Sequence, residues 1–291
     1  MKKTFTVFAG LIMGTAAIFA ATTSSKLSGT YTFGGSTTVQ PIANVAIEQF
    51  VKANPNVKIS YEGLGSGTGL KQLADGVVSL AGSSRELKQS ELDAGLVPVV
   101  IARDALTVVV NKDIGVANLT KEQLAGIYSG TITNWNQVGG KNEVINVINR
   151  DETSGTYTAF KELVLDPKKL SYTKNAIVAK ENGEVAAKVA STPGAIGYVG
   201  LGFVGEITKA GGKALAIEGV DASVKTTLDG TYALSRSLYI ATKGPAKTGT
   251  VEKAFIDYLL SARGKIIVKE AGFVLDENEV CFFCQRFEIT R

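Results

Sequence analysis

The chain has 291 residues, of which 45% are hydrophobic and 20% charged, and its formal net charge is +4. This composition is typical of a globular protein, and the length is sufficient for about two domains. The sequence contains no histidine, which excludes Ser-His-Asp and Cys-His catalysis, and its nearly balanced charges form no basic stripe of the kind that binds nucleic acid.

Residues 1–21 predict a secretory signal peptide. Lys2 and Lys3 precede an apolar run, and small residues then provide an Ala-x-Ala-like cleavage site near Ala20 or Ala21. An uncleaved membrane anchor is the alternative, although the run is short for a membrane span. No cysteine lies at the cleavage site to carry a lipid. We therefore expect a mature protein that is free in the periplasm or outside the cell.

The chain then alternates strands and helices. We expect strands at 29–33, 57–61 and 78–81, separated by helices that cover 38–54 and 70–75. The expected apolar face of the first helix is Ile42, Val45, Ala46 and Phe50. A βαβαβ order predicts a parallel sheet covered by helices, in which ligands bind at the carboxyl ends of the strands.

Two long β-branched segments follow, at 96–111 and 233–242. We expect the first to be two strands, broken at Arg103 and Asp104. The runs 106–110 and 238–242 within these segments are the natural crossings between lobes. They predict a discontinuous lobe 1 (26–107 and 237–291) and a lobe 2 (108–236). The fold class is then α/β, with each lobe a mixed sheet flanked by helices and with a cleft between the lobes.

Between these crossings the sequence predicts further elements of lobe 2. Thr120 to Gln123 is a capping box that opens a helix. A helix is expected over 185–190 and a buried strand over 195–199. Trp135 is predicted to be a packing anchor of this lobe rather than a ligand contact.

The stretch from Val144 to Phe160 is the strongest candidate for a binding site. A β-branched run leads to Arg150, then to a polar turn in which Thr153 or Ser154 caps a helix. Free N–H groups at a helix start favour an anion, and an arginine can hold a tetrahedral oxyanion through two hydrogen bonds. The alternative is an ordinary strand-to-helix connection with a well-chosen cap.

The same pattern of strand, Gly/Ser/Thr cluster and helix recurs at 31–41 and 59–70, and the turn 82–85 reads Gly-Ser-Ser-Arg. Helix starts rich in hydroxyl groups, with arginines nearby, predict one shared anion site. Only Cys281 and Cys284 could form a redox or metal motif, and the rest of such a motif is missing. A terminal disulfide or a tail without function is the preferred interpretation of this pair.

Five motifs occur in order: GSTTVQPIA, YEGLGSGTGLKQL, GSSREL, LTKEQLAGIYSGTITNW and NRDETSGTYTAF. Together they resemble the shorter branch of the phosphate-binding proteins of bacterial phosphate ABC transporters, over about 29–273. The resemblance implies the two-lobed periplasmic-binding-protein fold (type II), with two crossover strands. It also implies a monomer without metal or cofactor, which captures inorganic phosphate between the lobes and delivers it to a membrane permease.

Carried over by position, the resemblance implies a set of phosphate contacts, with Glu152 orienting Arg150. The implied contacts are Thr37, Thr38, Val39, Ser66, Ser84, Arg85, Arg150, Ser154, Gly155 and Thr156. Some family members have an aspartate at the turn occupied here by Ser84, where it accepts the proton that phosphate carries and sulfate lacks. A hydroxyl group both donates and accepts, and Asp151 or Glu152 is an alternative acceptor.

Two other functions remain open at this stage. The first is a binding protein of the same fold for another tetrahedral oxyanion, such as sulfate or molybdate. The second is an enzyme that hydrolyses phosphate esters, with a serine nucleophile and Arg150 as an oxyanion clamp. The lack of histidine and of a carboxylate cluster with metal-ligand spacing disfavours the enzyme.

Overall fold

The computed structural model describes residues 27–275, so the predicted signal peptide and the Cys281/Cys284 tail lie outside the described residues. The strands are β1 Gly29–Gly35, β2 Val57–Gly63, β3 Leu80–Ser83, β4 Leu96–Asn111, β5 Asn118–Leu119, β6 Asn146–Arg150, β7 Ile177–Ala179, β8 Ala195–Gly200, β9 Gly212–Ala214, β10 Ala216–Ile217 and β11 Ser235–Lys243. The helices are α1 Gln40–Ala53, α2 Ser66–Asp75, α3 Gln89–Asp93, α4 Lys121–Ser129, α5 Gly155–Phe160, α6 Asn182–Ser191, α7 Val204–Lys209, α8 Val224–Leu228, α9 Val251–Leu260 and α10 Ala262–Glu270.

One mixed sheet runs through the molecule in the strand order β2-β1-β3-β11-β4-β8-β6-β7, with β9 also paired to β4. Strand β1 pairs in parallel with β2 and β3, and β6 pairs in parallel with β8 and β7. The antiparallel strands β4 and β11 join these two parallel parts. The predicted α/β class, with helices flanking a mixed sheet, is confirmed.

Strand β4 is a single strand of 16 residues, so the predicted break at Arg103 and Asp104 is wrong. Its first part pairs with β11 and its second part with β8. Asp104 is fully buried in the strand because Arg236, its direct partner on β11, neutralises it. A buried charge is tolerated in a strand when an opposite charge with hydrogen bonds compensates it.

The buried apolar residues fall into separate clusters on the two parts of the sheet. Two clusters use residues 33–102 and 238–275, and the other two use residues 105–234. The lobe boundaries at 107/108 and 236/237 stay a prediction, which this division of the core supports. On α1 the expected apolar face is buried except for Val45, which is 39% exposed. The assignment of Val45 to the buried face is therefore wrong.

Three glycines form a row at the carboxyl ends of the parallel strands of lobe 1. Gly35 pairs with Gly63 on one side and with Gly82 on the other. A Cβ atom on Gly35, whose φ is +117°, would stand 2.4 Å from the Gly82 carbonyl oxygen, so a side chain has no room there. The close approach brings the three following loops together.

Other local predictions hold in lobe 2. Thr120 accepts a hydrogen bond from the Gln123 backbone and Gln123 caps the Thr120 N–H in return, as a capping box does. Trp135 is fully buried and its Nε1 donates to the Gly194 carbonyl at 2.9 Å. The packing role predicted for this tryptophan is confirmed. Among residues 27–275, no helix has both the length and the apolar character needed to cross a bilayer.

Candidate oxyanion-binding site

The loops after β1, β2, β3 and β6 bring six hydroxyl groups into one buried cluster. These hydroxyls, each at most 7% exposed, belong to Thr37, Thr38, Ser66, Ser84, Ser154 and Thr156. The first four lie in lobe 1, and the last two lie at the start of α5 in lobe 2. Buried polar groups need hydrogen-bond partners, and two arginines provide many of them.

Arg150 ends strand β6 and is 1% exposed. Its Nη2 donates to Thr37 Oγ1 at 3.0 Å, and Nε and Nη2 donate to the carbonyls of Ala179 and Lys180. Nη1 donates to Asn182 Oδ1 at 3.3 Å. Burial lowers the pKa of Arg150 to about 10, and the side chain is still cationic at neutral pH.

Arg236, on strand β11, is a second buried cation that the sequence did not predict at the site. Its Nε and Nη2 donate to Asp104 Oδ2 at 2.9 and 2.7 Å. Its Nη1 donates to Thr156 Oγ1 at 2.9 Å and to the Ser84 carbonyl at 3.0 Å. Burial raises the pKa of Asp104 and lowers that of Arg236, while their mutual attraction opposes both shifts.

The contacts of the cluster join the two lobes. Thr38 Oγ1 lies 3.2 Å from Thr156 Oγ1. The Gly67 N–H donates to the Thr153 carbonyl at 2.9 Å, and this contact brings the start of α2 against the turn before α5. Two cationic side chains and a set of hydroxyl groups therefore lie together where the lobes meet. This arrangement suits a small anion with several oxygen atoms.

A family model described as the PBP superfamily domain matches residues 20–263, a range that includes the whole cluster. The phosphate-binding protein PstS of Borreliella burgdorferi is 37% identical over 246 residues, which are 83% of this chain and 88% of that protein. The chain belongs to this family of phosphate-binding proteins. The PstS protein of Bacillus subtilis is 35% identical over 252 residues, 86% of this chain and 81% of that protein.

A solved structure with bound phosphate gives the same assignment. It is that of a substrate-binding protein assigned to a phosphate ABC transporter of Clostridium perfringens. It is 32% identical with a TM-score of 0.78, and the match covers 86% of this chain and all of that one. The two-lobed periplasmic-binding-protein fold inferred from the motifs is therefore confirmed.

In this member of the phosphate-binding protein family, carboxylates do not orient Arg150 as expected. Glu152 is exposed, and the hydrogen bonds of the Arg150 guanidinium go to two carbonyls, Asn182 and Thr37. Asp151 instead accepts from the Thr153 N–H at 2.8 Å. The role of Glu152 in orienting Arg150 stays a prediction, which these contacts do not support, because the carbonyls at the end of β7 and just after it accept from the guanidinium.

Arg85 also lies elsewhere than expected. Its guanidinium donates twice to the carboxylate of Glu91, at 2.8 and 2.7 Å, and once to the Glu86 carbonyl. Its side chain is 3% exposed. The structure therefore brings the backbone of the Gly-Ser-Ser-Arg turn to the cluster, while it pairs the guanidinium with α3.

The backbone groups of the first loop are already paired within that loop. The N–H groups of Thr38 and Val39, both expected to contact an anion, donate to Ser36 Oγ at 3.1 and 3.3 Å. Ser154 performs the predicted capping role, since its Oγ accepts from the N–H groups of Thr156 and Tyr157. Within residues 27–275, no group of three or more His, Cys, Asp or Glu side chains could hold a metal ion.

Proposed function

We propose that this protein captures inorganic phosphate between its two lobes outside the cytoplasm and delivers it to an ABC permease. The observation that carries the proposal is the pair of buried guanidinium groups, Arg150 and Arg236, set among six buried hydroxyls. The names of the relatives support phosphate as the anion.

The geometry explains how such a site would replace the hydration shell of phosphate. Hydroxyl and N–H donors supply hydrogen bonds, and buried cations supply charge in surroundings from which water is excluded. Because contacts come from both lobes, an anion that touches Thr38 and Thr156 together stabilises the arrangement in which the lobes meet. Binding and lobe closure are therefore linked, and ligand contacts supply the free energy of closure.

The proposed contacts follow the sequence prediction with two residues left out. Glu91 holds the guanidinium of Arg85, and the Val39 N–H donates to Ser36 Oγ. The proposed contacts are Thr37, Thr38, Ser66, Ser84, Arg150, Ser154, Gly155 and Thr156. We further propose that the protein is a monomer, that it is located in the periplasm or outside the cell, and that its lobes divide near 107/108 and 236/237.

Calorimetric titration of the mature protein, stripped of carried-over ligand, tests the proposal. Phosphate is titrated at pH 8 with and without an excess of sulfate. Binding of one phosphate per chain that sulfate leaves unchanged is the expected result. Loss of phosphate binding in sulfate would assign the site to another oxyanion, and the absence of any binding would refute the proposal.

A further inference from the structure

The hydrogen bonds of Arg236 constrain the hydroxyls that it contacts. A guanidinium has five N–H donors and no acceptor. Its Nη1 donates to Thr156 Oγ1 at 2.9 Å, and its Nη2 lies 3.5 Å from Thr38 Oγ1. Neither hydroxyl can therefore donate its own proton back to Arg236. Each must donate to a different acceptor.

Arg150 acts on the Thr38 hydroxyl in the same way, through Asn182. Its Nη1 donates to Asn182 Oδ1, so the amide nitrogen of Asn182 faces the other way and donates to Thr38 Oγ1 at 3.2 Å. Thr38 Oγ1 thus receives hydrogen bonds from Asn182 and from Arg236. With both lone pairs used, the Thr38 hydroxyl is left with its proton to donate.

The hydroxyls of Thr156 and Ser154 also accept hydrogen bonds and keep their protons to donate. Thr156 Oγ1 accepts from Arg236 and lies 3.2 Å from Thr38 Oγ1. Because both lone pairs of Thr38 are used, Thr156 cannot donate to Thr38, and its proton is available to another acceptor. Ser154 Oγ accepts from two backbone N–H groups. The hydroxyls of Ser66 and Ser84 lie 3.3 Å apart, and Ser66 Oγ also accepts from the Ser84 N–H at 3.0 Å. Neither of the two arginines of the site donates to either hydroxyl, so this pair keeps a lone pair that can accept a proton.

We propose that Arg236, held by Asp104, is a positioning residue of the phosphate site, which orients the hydroxyls of Thr38 and Thr156 as donors toward the bound anion. This inference rests on the proposed function. Asp104 fixes the guanidinium through two bonds to one carboxylate oxygen, while its other oxygen accepts from the Leu201 N–H at 2.8 Å. The Arg236 fork thus stays aimed at the two threonines.

The orientation assigns different tasks to the two sets of hydroxyls. The threonines and Ser154 present protons to the ionised oxygens of phosphate. The undirected pair, Ser66 and Ser84, is left to accept the proton that phosphate still carries near neutral pH. Specificity would then depend on how the hydroxyls are directed rather than on a carboxylate in the site.

A double-mutant cycle tests whether Arg236 acts through Thr156. The double change Asp104→Asn with Arg236→Gln removes both charges of the pair, and Thr156→Val removes the hydroxyl with little change in shape. Calorimetry should show that the double change weakens phosphate binding about 10- to 100-fold. Combined with Thr156→Val, it should weaken binding less than the product of the separate effects, by at least about threefold.

Thr37→Val is the matched control, since Arg150 rather than Arg236 donates to the Thr37 hydroxyl. When Thr37→Val is combined with the double change, the loss of phosphate affinity should equal the product of the two separate losses to within about twofold. The inference would be overturned if the losses of affinity multiplied with Thr156→Val as they do with Thr37→Val. It would also be overturned if the double change left phosphate binding unaffected. Thermal unfolding checks that each variant folds.

Arg236→Lys replaces the double change should the latter not fold, because an ammonium lacks the planar fork that reaches two threonines. It should show the same coupling to Thr156→Val. If the wild-type protein binds sulfate or molybdate but no phosphate, the proposed function fails while the cycle is measured with the anion that binds. Binding of none of these anions overturns both.

Discussion

Gly155 lies so close to Ser66 that a Cβ atom on the glycine would stand 2.3 Å from Ser66 Oγ, and 2.7 Å from Ser84 Oγ. Gly155 begins α5 in lobe 2, whereas Ser66 begins α2 and Ser84 follows β3 in lobe 1. The absence of a side chain at this helix start therefore allows the two lobes to meet.

Gly155→Ala should accordingly weaken phosphate binding. Overpacking of a closely packed contact costs about 1–3 kcal/mol, and this cost falls on the state in which the lobes meet. Titration calorimetry measures the change. Gly205→Ala is the control, because Gly205 lies exposed on α7 with no atom within 4 Å of an added Cβ. A Gly155→Ala protein with wild-type affinity would show that this contact does not limit closure.

Arg150→Ala should reduce phosphate affinity by about 1.5–3 kcal/mol or more, since a buried charged donor is lost. Arg263, exposed on α10 and bonded to Gln49, provides a control substitution of the same kind. Arg263→Ala should leave affinity unchanged within error. Unaltered phosphate binding by Arg150→Ala in calorimetric titration would remove Arg150 from the site.

Ser84→Asp should increase the preference for phosphate over sulfate. A carboxylate accepts the proton that phosphate carries, and it repels an anion that has no proton to share. Competition titrations at rising sulfate should show that more sulfate is needed to displace phosphate than from the wild type, with phosphate affinity kept within about tenfold, or about 1.4 kcal/mol. Ser84→Asn has a similar shape without the charge, and it should not gain this preference. Equal loss of both anions would argue against a proton-accepting role at position 84.

The salt bridge between Glu91 and Arg85 should make the free energy of unfolding fall as the pH becomes acidic. Burial alone would raise the pKa of Glu91, but the bonds from Arg85 and the Lys88 N–H outweigh it and lower that pKa. A carboxyl whose pKa is lower in the folded chain stabilises the fold above its unfolded pKa, and this stabilisation is lost as pH falls through the folded pKa.

Glu91→Gln should therefore reduce the free energy of unfolding by about 1–2 kcal/mol at pH 7, allowing for the partial exposure of the pair. The difference from wild type should shrink as the pH is lowered from 5 to 3. Urea unfolding at several pH values measures it. A difference that stays constant down to pH 3 would contradict a lowered pKa for Glu91.

The parts of the site that the sequence predicted are local in the chain. The stretch from Arg150 to Thr156 carries its own strand end, turn and cap, so its shape follows from neighbouring residues. The loop of Thr37 and Thr38 follows the same pattern. Such local patterns also predicted the capping box at Thr120 and most of the strands.

The missed pair, Asp104 and Arg236, depends on contacts between distant segments. These residues face each other only because β4 and β11 pair antiparallel in one register. Within a single segment, Asp104 resembles a strand breaker and Arg236 an isolated surface charge. The contacts of Arg85 show the same limit, since the orientation of its guanidinium depends on the position of Glu91 on α3.

Trp135 is the one tryptophan of the chain, and it lies in the core of lobe 2 with its indole N–H bonded to Gly194. Intrinsic tryptophan emission therefore reports on a single lobe. Emission from this site should be blue-shifted in the native protein, and it should move to longer wavelength when lobe 2 unfolds. Compared with circular dichroism, which records both lobes, it reveals whether the two lobes unfold together or in separate steps.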